Sequence, residues 1–267
     1  MQAQFDAVIL AGRDPKRPDP LAADQMVSHK VLIDIAGHPM IWHVVHALAG
    51  CPRIGRIVIV GLAPTSGVDF GREVDYLADQ GSLLDNVIHG FGWLAEHESP
   101  QRYALLLTGD TPLLTSAMVD WFIDACHPLQ KDVYWGIVAR HTMEATFPAS
   151  RRSYLRLVEG QFCSGDLFLG KIEAALRQQG LIRQLVEQRK HVLRQLWLLG
   201  PLTVAKFFLR RLRLPELLSV VERLLGLSGG AVILPFAEAG MDVDKPHQLA
   251  QVRDYAARHI PSNPLAP

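Results

Sequence analysis

The chain has 267 residues with 27 Lys plus Arg against 27 Asp plus Glu, a formal net charge of zero, which excludes the polycationic signature of a general nucleic-acid binder. Its three cysteines, Cys51, Cys126 and Cys163, are odd in number and lack metal-ligand spacing, so they exclude a disulfide framework and point to a reducing cytoplasm. The N-terminal MQAQFDAVILAG lacks the parts of a secretory signal, no segment reaches the roughly 20 apolar residues that cross a bilayer, and the length fits one α/β domain with an insertion.

The first predicted strand is Phe5 to Leu10, a β-branched and aromatic run that stops at Ala11-Gly12. Residues 13–29 carry three prolines and mixed charges, which predicts a surface loop with one helical turn near Leu21 to Gln25. A short strand, VLIDI, precedes Ala36-Gly37, and Pro39 opens a helix with an apolar face of Met40, Trp42, Val44, Val45 and Leu48. IGRIVIVGL is the next strand, Leu84 to Ala95 a helix, Tyr103 to Leu107 a strand, Ser116 to Cys126 a helix and Val133 to Val138 a strand. This β-α-β alternation, with strands apolar at every position, predicts an α/β fold of three layers around a mostly parallel sheet, with ligands beyond the strands' carboxyl ends. Residues 171–227 break the rhythm as a Leu- and Arg-rich helical insertion of three or four helices, interrupted at Gly200-Pro201 and Pro215. A strand at Gly230 to Leu234 and a helix from Pro246 to His259 follow, and residues 260–267 read as a disordered tail. The whole of 1–267 is expected to be one domain.

Three places carry chemistry. At Leu10-Ala11-Gly12-Arg13, small residues after a strand let backbone amides approach phosphate oxygens, while Lys16, Arg17 and Lys30 supply positive charge. A plain turn with solvated charges explains the same residues equally well. In YALLLTGDTPLL, Asp110 ends a buried strand where a hard carboxylate suits Mg²⁺, unless it caps the following helix. In Met241-Asp242-Val243-Asp244-Lys245-Pro246, extended backbone would turn both carboxylates toward one metal, with capping by Asp244 as the plainer role. There is neither a GxxxxGK[ST] loop nor a GxGxxG fingerprint, which argues against P-loop enzymes and nicotinamide dehydrogenases.

Taken together, AVILAGR, the lysine before VLIDIAGHPMI, LTGDTPLL and MDVDKPHQL resemble the nucleotidyltransferases related to molybdenum cofactor guanylyltransferase and the sugar-phosphate nucleotidyltransferases. The resemblance covers about the first 125 residues and the last 35. It implies a glycosyltransferase-A-like fold and Mg²⁺-assisted attack of a phosphorylated small-molecule acceptor on the α-phosphorus of an NTP, with release of pyrophosphate. It further implies that Leu10, Ala11, Gly12 and Arg13 hold the nucleotide, that Arg17 and Lys30 grip the triphosphate, and that Asp110 and Asp244, with Asp242 as a third candidate, bind the metal. Gln80-Gly81-Ser82 with Asn86 matches the base-recognition position, although an N-cap serine on a polar helix face accounts for it equally. The sequence departs from the family where Arg13 and Pro15 replace loop glycines, and where Arg17 and Lys30 stand further apart than usual.

The acceptor side is expected in mid-chain, where Arg151, Arg152, Tyr154 and Arg156 precede the turn Ser164-Gly165-Asp166; Arg156 with that turn is the predicted binding set. Single arginines are more often solvated. LRQLWLLGPLTVAKFFLRRLRL reads first as a packed cap or dimer contact and second as a helix lying at a membrane surface. Two other functions stay open: a glycosyltransferase using D-x-D, and an inactive nucleotide-binding scaffold.

Overall fold

FDAVIL forms β1 (Phe5–Leu10), buried at every position as befits a strand covered on both faces. Its side chains alternate: Phe5, Ala7 and Ile9 join one apolar cluster, while Val8 and Leu10 join another on the opposite face. The computed structural model describes residues 5–13, 19–97, 103–180 and 200–260.

β1 pairs in parallel with β4 (Ile54–Val60) and with β6 (Tyr103–Thr108), and β4 pairs in parallel with β5 (Asp75–Leu77). On the other side of β6 the direction changes. β9 (Gly160–Lys171) runs antiparallel between β6 and β7 (Val133–Ala139), β10 (Gly229–Leu234) is parallel to β7, and β8 (Leu155–Leu157) folds back on β9. The sheet order is β10-β7-β9-β6-β1-β4-β5, so the predicted three-layer, mostly parallel α/β architecture is the observed one.

One face is covered by α2 (Met40–Ala49), α4 (Ser116–Ala125) and α9 (Pro246–His259), which supply Met40, Val44, Phe122, Leu249 and Val252 to the main core. The opposite face is covered by α3 (Leu83–His97) and α6 (Ile172–Arg177), through Phe91, Leu94 and Ile172. A short helix α1 (Pro20–Asp24), capped by Asp19, forms where the helical turn was expected.

VLIDI is not a sheet strand. It opens as a 3₁₀ turn at Lys30–Leu32 and continues into β2 (Asp34–Ile35), paired only with β3 (His38–Pro39). Ala36 and Gly37, at φ 51° and 90°, make the tight turn between them, a reversal that a longer strand would not allow.

The larger departure is β9. Ser164-Gly165-Asp166, expected as a turn, lies within the strand at an irregularity opposite Trp135 to Ile137. A Cβ on Gly165 would stand 2.6 Å from a Leu234 methyl and 2.9 Å from the Gly136 carbonyl, so the close approach of β9 to β7 requires glycine there. The short α5 (Arg140–Thr146) and the edge strand β5 were also absent from the periodicity reading.

In the predicted insertion, α6 is followed by α7 (Pro201–Phe208) and α8 (Leu214–Leu225), with Gly200-Pro201 and Pro215 at helix starts. Residues 181–199 and the predicted tail after Ile260 lie outside the described residues. No described helix is long and apolar enough to cross a membrane.

Candidate functional site

At the carboxyl end of β1 the chain is pinned between neighbours: Ala11 N donates to the Val60 carbonyl at 2.8 Å, and Gly109 N donates to the Leu10 carbonyl at 3.0 Å. The following turn has no room for side chains. A Cβ on Gly12 would lie 2.2 Å from Asn86 Nδ2, and one on Gly61, at φ +99°, would lie 2.4 Å from the Gly12 Cα. Two glycines thus let two strand ends meet at the floor of a cavity of about 1260 Å³ that reaches from Ser82 to Asp110 and Asp244. That is ample for a nucleoside triphosphate.

Asp79, which the sequence reading passed over, organises this end. Its carboxylate accepts from Arg13 N and Gly81 N, both at 2.8 Å, and from Asn86 Nδ2 at 3.0 Å. Burial raises its pKa, but the Arg13, Gly81 and Asn86 bonds outweigh that and hold it below the usual carboxylate value. Asn86 Oδ1 in turn accepts from Gln80 N at 2.7 Å, so both ends of this buried amide are spent on shaping the 79–81 turn. Ser82 caps α3, its Oγ accepting from Asp85 N at 3.1 Å and donating to Asp85 at 2.6 Å. The Asn86 amide thus builds the turn while also lining the cavity beside Gly81 and Ser82.

The charged centre lies beside that floor. Lys30 Nζ is 2.6 Å from Asp110 Oδ2 and 2.6 Å from Asp244 Oδ1, joining residues distant in sequence at one nitrogen. Burial pushes the ammonium pKa down, and the Asp110 and Asp244 charges more than reverse this, so Lys30 is held protonated. Lys30 likewise holds Asp244 below its ordinary value against the opposing effect of burial. Main chain locks the assembly, with Val243 N donating to the Asp110 carbonyl at 3.0 Å. Neither carboxylate is a helix cap: Thr115 caps α4 through Met118 N, while Lys245 is at the N-cap position of α9 and Asp244 N donates to Gln248 Oε1. His29, next to Lys30, is buried with both ring nitrogens unpartnered among the described residues, and burial with the Arg13 charge lowers its pKa.

On the β9 side of Asp110, Arg152 forms ion pairs with Asp242 and, at 3.8 Å, with Asp166. Burial lowers the guanidinium pKa, but the Asp242 and Asp166 charges dominate and raise it. Asp166, at φ +47°, accepts from Ser164 Oγ at 3.0 Å, and that hydroxyl accepts from Trp135 Nε1 at 3.2 Å. Below Ser164 is an apolar cavity of about 130 Å³ walled by Trp135, Leu157, Phe162 and Leu214. Arg156 is not part of this cluster. Its side chain sits exposed on β8, between inward-facing Leu155 and Leu157, with no hydrogen bond or ion pair among the described residues, and the arginine drawn inward is Arg152, which precedes the strand just after Arg151 at φ 50°. The two carboxylates of the D-x-D also have different cations, Asp242 facing Arg152 and Asp244 facing Lys30. Residues 241–244 are not regular strand, so the period of two does not govern them.

Burial, then the adjacent Asp166 charge, pushes the Asp242 carboxyl up to about 8 against the opposing pull of Arg152, and Asp166 is raised by burial and by Asp110. With an unfolded value near ~3.9, the folded state binds the extra proton between about pH 4 and 8, so this part of the stability is full below that window and lost across it as pH rises. Metal-free protein should lose melting temperature from pH 5 to 8.5 more steeply than Asp242→Asn, whose amide does not titrate. Differential scanning fluorimetry in chelator measures this, and the buried histidines cancel in the comparison. Parallel curves for the two proteins contradict the raised Asp242 value.

Of the predicted residues, Leu10 to Arg13, Lys30, Gly81, Ser82, Asn86, Asp110 and Asp244 meet at the large cavity, and Ser164, Asp166 and Asp242 lie beside it. Arg17 is outside the described residues. A divalent cation fits the donors present: Asp110 Oδ1 is buried without a hydrogen-bond partner among the described residues, and Asp244 is within reach of the same point charge. The described His, Cys, Asp and Glu side chains form no group of three or more that could hold a metal ion by themselves.

A family model described as the MobA-like NTP transferase domain matches residues 7–192. Over an alignment of 133 positions that covers 45% of this chain, it is 32% identical to the Bifunctional protein GlmU of Agrobacterium fabrum, and it spans 26% of that protein, about a quarter of its length. A hypothetical transferase from Thermus thermophilus superposes with a TM-score of 0.80 at 32% identity, covering 92% of this chain and 99% of that one. The 4-diphosphocytidyl-2C-methyl-D-erythritol synthase structure is similar in fold alone, at 12% identity and a TM-score of 0.58 over 95% of this chain and 98% of its own. With the family model spanning most of the chain, this protein belongs to the MobA-like NTP transferase domain family, a family of nucleotidyltransferases.

Proposed function

We propose that this protein transfers NMP from an NTP to a phosphorylated small-molecule acceptor in the cytoplasm, releasing pyrophosphate with the help of Mg²⁺. The reading is carried by one observation, the convergence of Asp110 and Asp244 on the Lys30 ammonium at the edge of the large cavity. The turn Leu10-Ala11-Gly12-Arg13 would hold the nucleotide through backbone amides, with Gly81 and Ser82 at the base end. Lys30 and Arg17 would neutralise the triphosphate as the pyrophosphate leaves. Asp110 and Asp244 would hold Mg²⁺, which when bound polarises the α-phosphate.

The acceptor would enter over β9, where Ser164 and Asp166 lie and where Arg152 supplies the buried positive charge. A phosphate acceptor is already anionic near neutral pH, so the site needs no general base, and its work is positioning and charge neutralisation. Two measurements test this. Thermal-shift screening of the four NTPs with Mg²⁺ should single out one nucleotide by a raised melting temperature. Pyrophosphate release should then require that NTP, Mg²⁺ and an added sugar or alcohol phosphate together. Hydrolysis of a nucleotide-diphospho-sugar without pyrophosphate formation would instead assign a glycosyltransferase.

A further inference from the structure

Helix α7 leaves exposed the apolar side chains that an ordinary surface helix would bury. Lys206, itself partly exposed, ties it to α8 by donating to Glu216 at 2.5 Å. The outward side of α7 carries Leu202, Ala205, Phe208 and Leu209, at the i, i+3, i+6, i+7 spacing of one helix face. Leu202, Phe208 and Leu209 are 69%, 73% and 66% exposed, and the helix buries none of its residues. A soluble helix does the reverse, so this face is built to meet an apolar phase or a partner.

The charges around it say which. Residues 200–215 contain Lys206, Arg210, Arg211 and Arg213 and no carboxylate. Arg210 and Arg211 are exposed immediately after the apolar face and form no ion pair among the described residues. Buried Leu212, packed with Leu157 and Phe162, anchors this stretch to the β8–β9 hairpin and so holds its neighbours outward. A second copy would bring the same cations onto themselves, which disfavours a two-fold contact through this patch. Residues 181–199, with four Lys or Arg and one Glu, carry the same basic and apolar mixture and offer no charge complement.

We infer that the outward face of α7, with Arg210 and Arg211, docks on an anionic phospholipid surface. Phe208, Leu202 and Leu209 enter the boundary between headgroups and acyl chains, and the guanidiniums pair with lipid phosphates and carboxylates. The attachment is peripheral and independent of the nucleotide chemistry.

Vesicle flotation of the full chain tests it without any nucleotide. The protein should float with phosphatidylcholine vesicles containing phosphatidylserine and stay behind with phosphatidylcholine alone, and salt should release it. Phe208→Ser with Leu209→Ser, and separately Arg210→Glu with Arg211→Glu, should each lower the bound fraction about tenfold while leaving the melting temperature unchanged. All four side chains are exposed, so the variants keep the core intact. Failure to float with either vesicle, equal flotation with both, or undiminished binding by the variants overturns the inference. So does a dimer in light scattering that Phe208→Ser with Leu209→Ser abolishes in the absence of flotation, which would assign the face to a second copy.

Discussion

Asp110→Ala should reduce NMP transfer by roughly 10³-fold or more, the scale on which removal of a central electrostatic element lowers turnover. Among the described residues, Asp110 is the carboxylate that combines a bond to Lys30 with a buried oxygen left unpartnered. The same substitution should lower the melting temperature of the metal-free protein, because buried Lys30 loses the carboxylate that most favours its charge. Asp110→Asn should show both effects with less change in shape. Pyrophosphate release and a melting curve in chelator measure them; substantial turnover in either variant would remove Asp110 from the metal site.

At pH 9, above the raised Asp242 value, Arg152→Met should be the most destabilising single change in the site, costing about 3 kcal/mol and roughly 10 °C of melting temperature. Methionine approximates the side chain's bulk, so the loss comes from leaving Asp166 and Asp242 buried without their cation. Adding Asp242→Asn to Arg152→Met should recover most of it, because only one uncompensated carboxylate remains. A merely packing role for Arg152 predicts additive losses instead, and a double-mutant cycle of melting temperatures or urea midpoints separates the two. If Arg152 also serves the acceptor, the doubly substituted protein should be folded yet show a raised acceptor KM.

Much of the fold was legible because it is written in local patterns. FDAVIL and IGRIVIV are apolar at every position, which only strands covered on both faces need to be, and the Pro246 helix begins where proline fits a first turn. The strand β9 was not legible, because Ser164-Gly165-Asp166 has turn chemistry and its extended geometry depends on β6 and β7 on either side. Lys30, Asp110 and Asp244 could be named from their motifs. Asp79 could not, since an isolated acid after a short edge strand carries no signal until Arg13, Gly81 and Asn86 close around it.

Arg156 and Arg152 divide the two kinds of information most clearly. Composition and spacing can place a cluster of arginines ahead of β9, but which one enters depends on how the β8–β9 hairpin faces the sheet. The amino-acid sequence by itself determined the alternating α/β order, the glycine turn after β1 and the identity of the carboxylates, because periodicity, backbone freedom and side-chain chemistry are properties of short segments. Only the tertiary structure decided that Asp110 and Asp244 share one cation, that Asp242 belongs to Arg152, and that α7 turns its leucine and phenylalanine outward. Those outcomes are set by contacts between residues up to 214 positions apart, where orientation is fixed by packing rather than by neighbours in the chain.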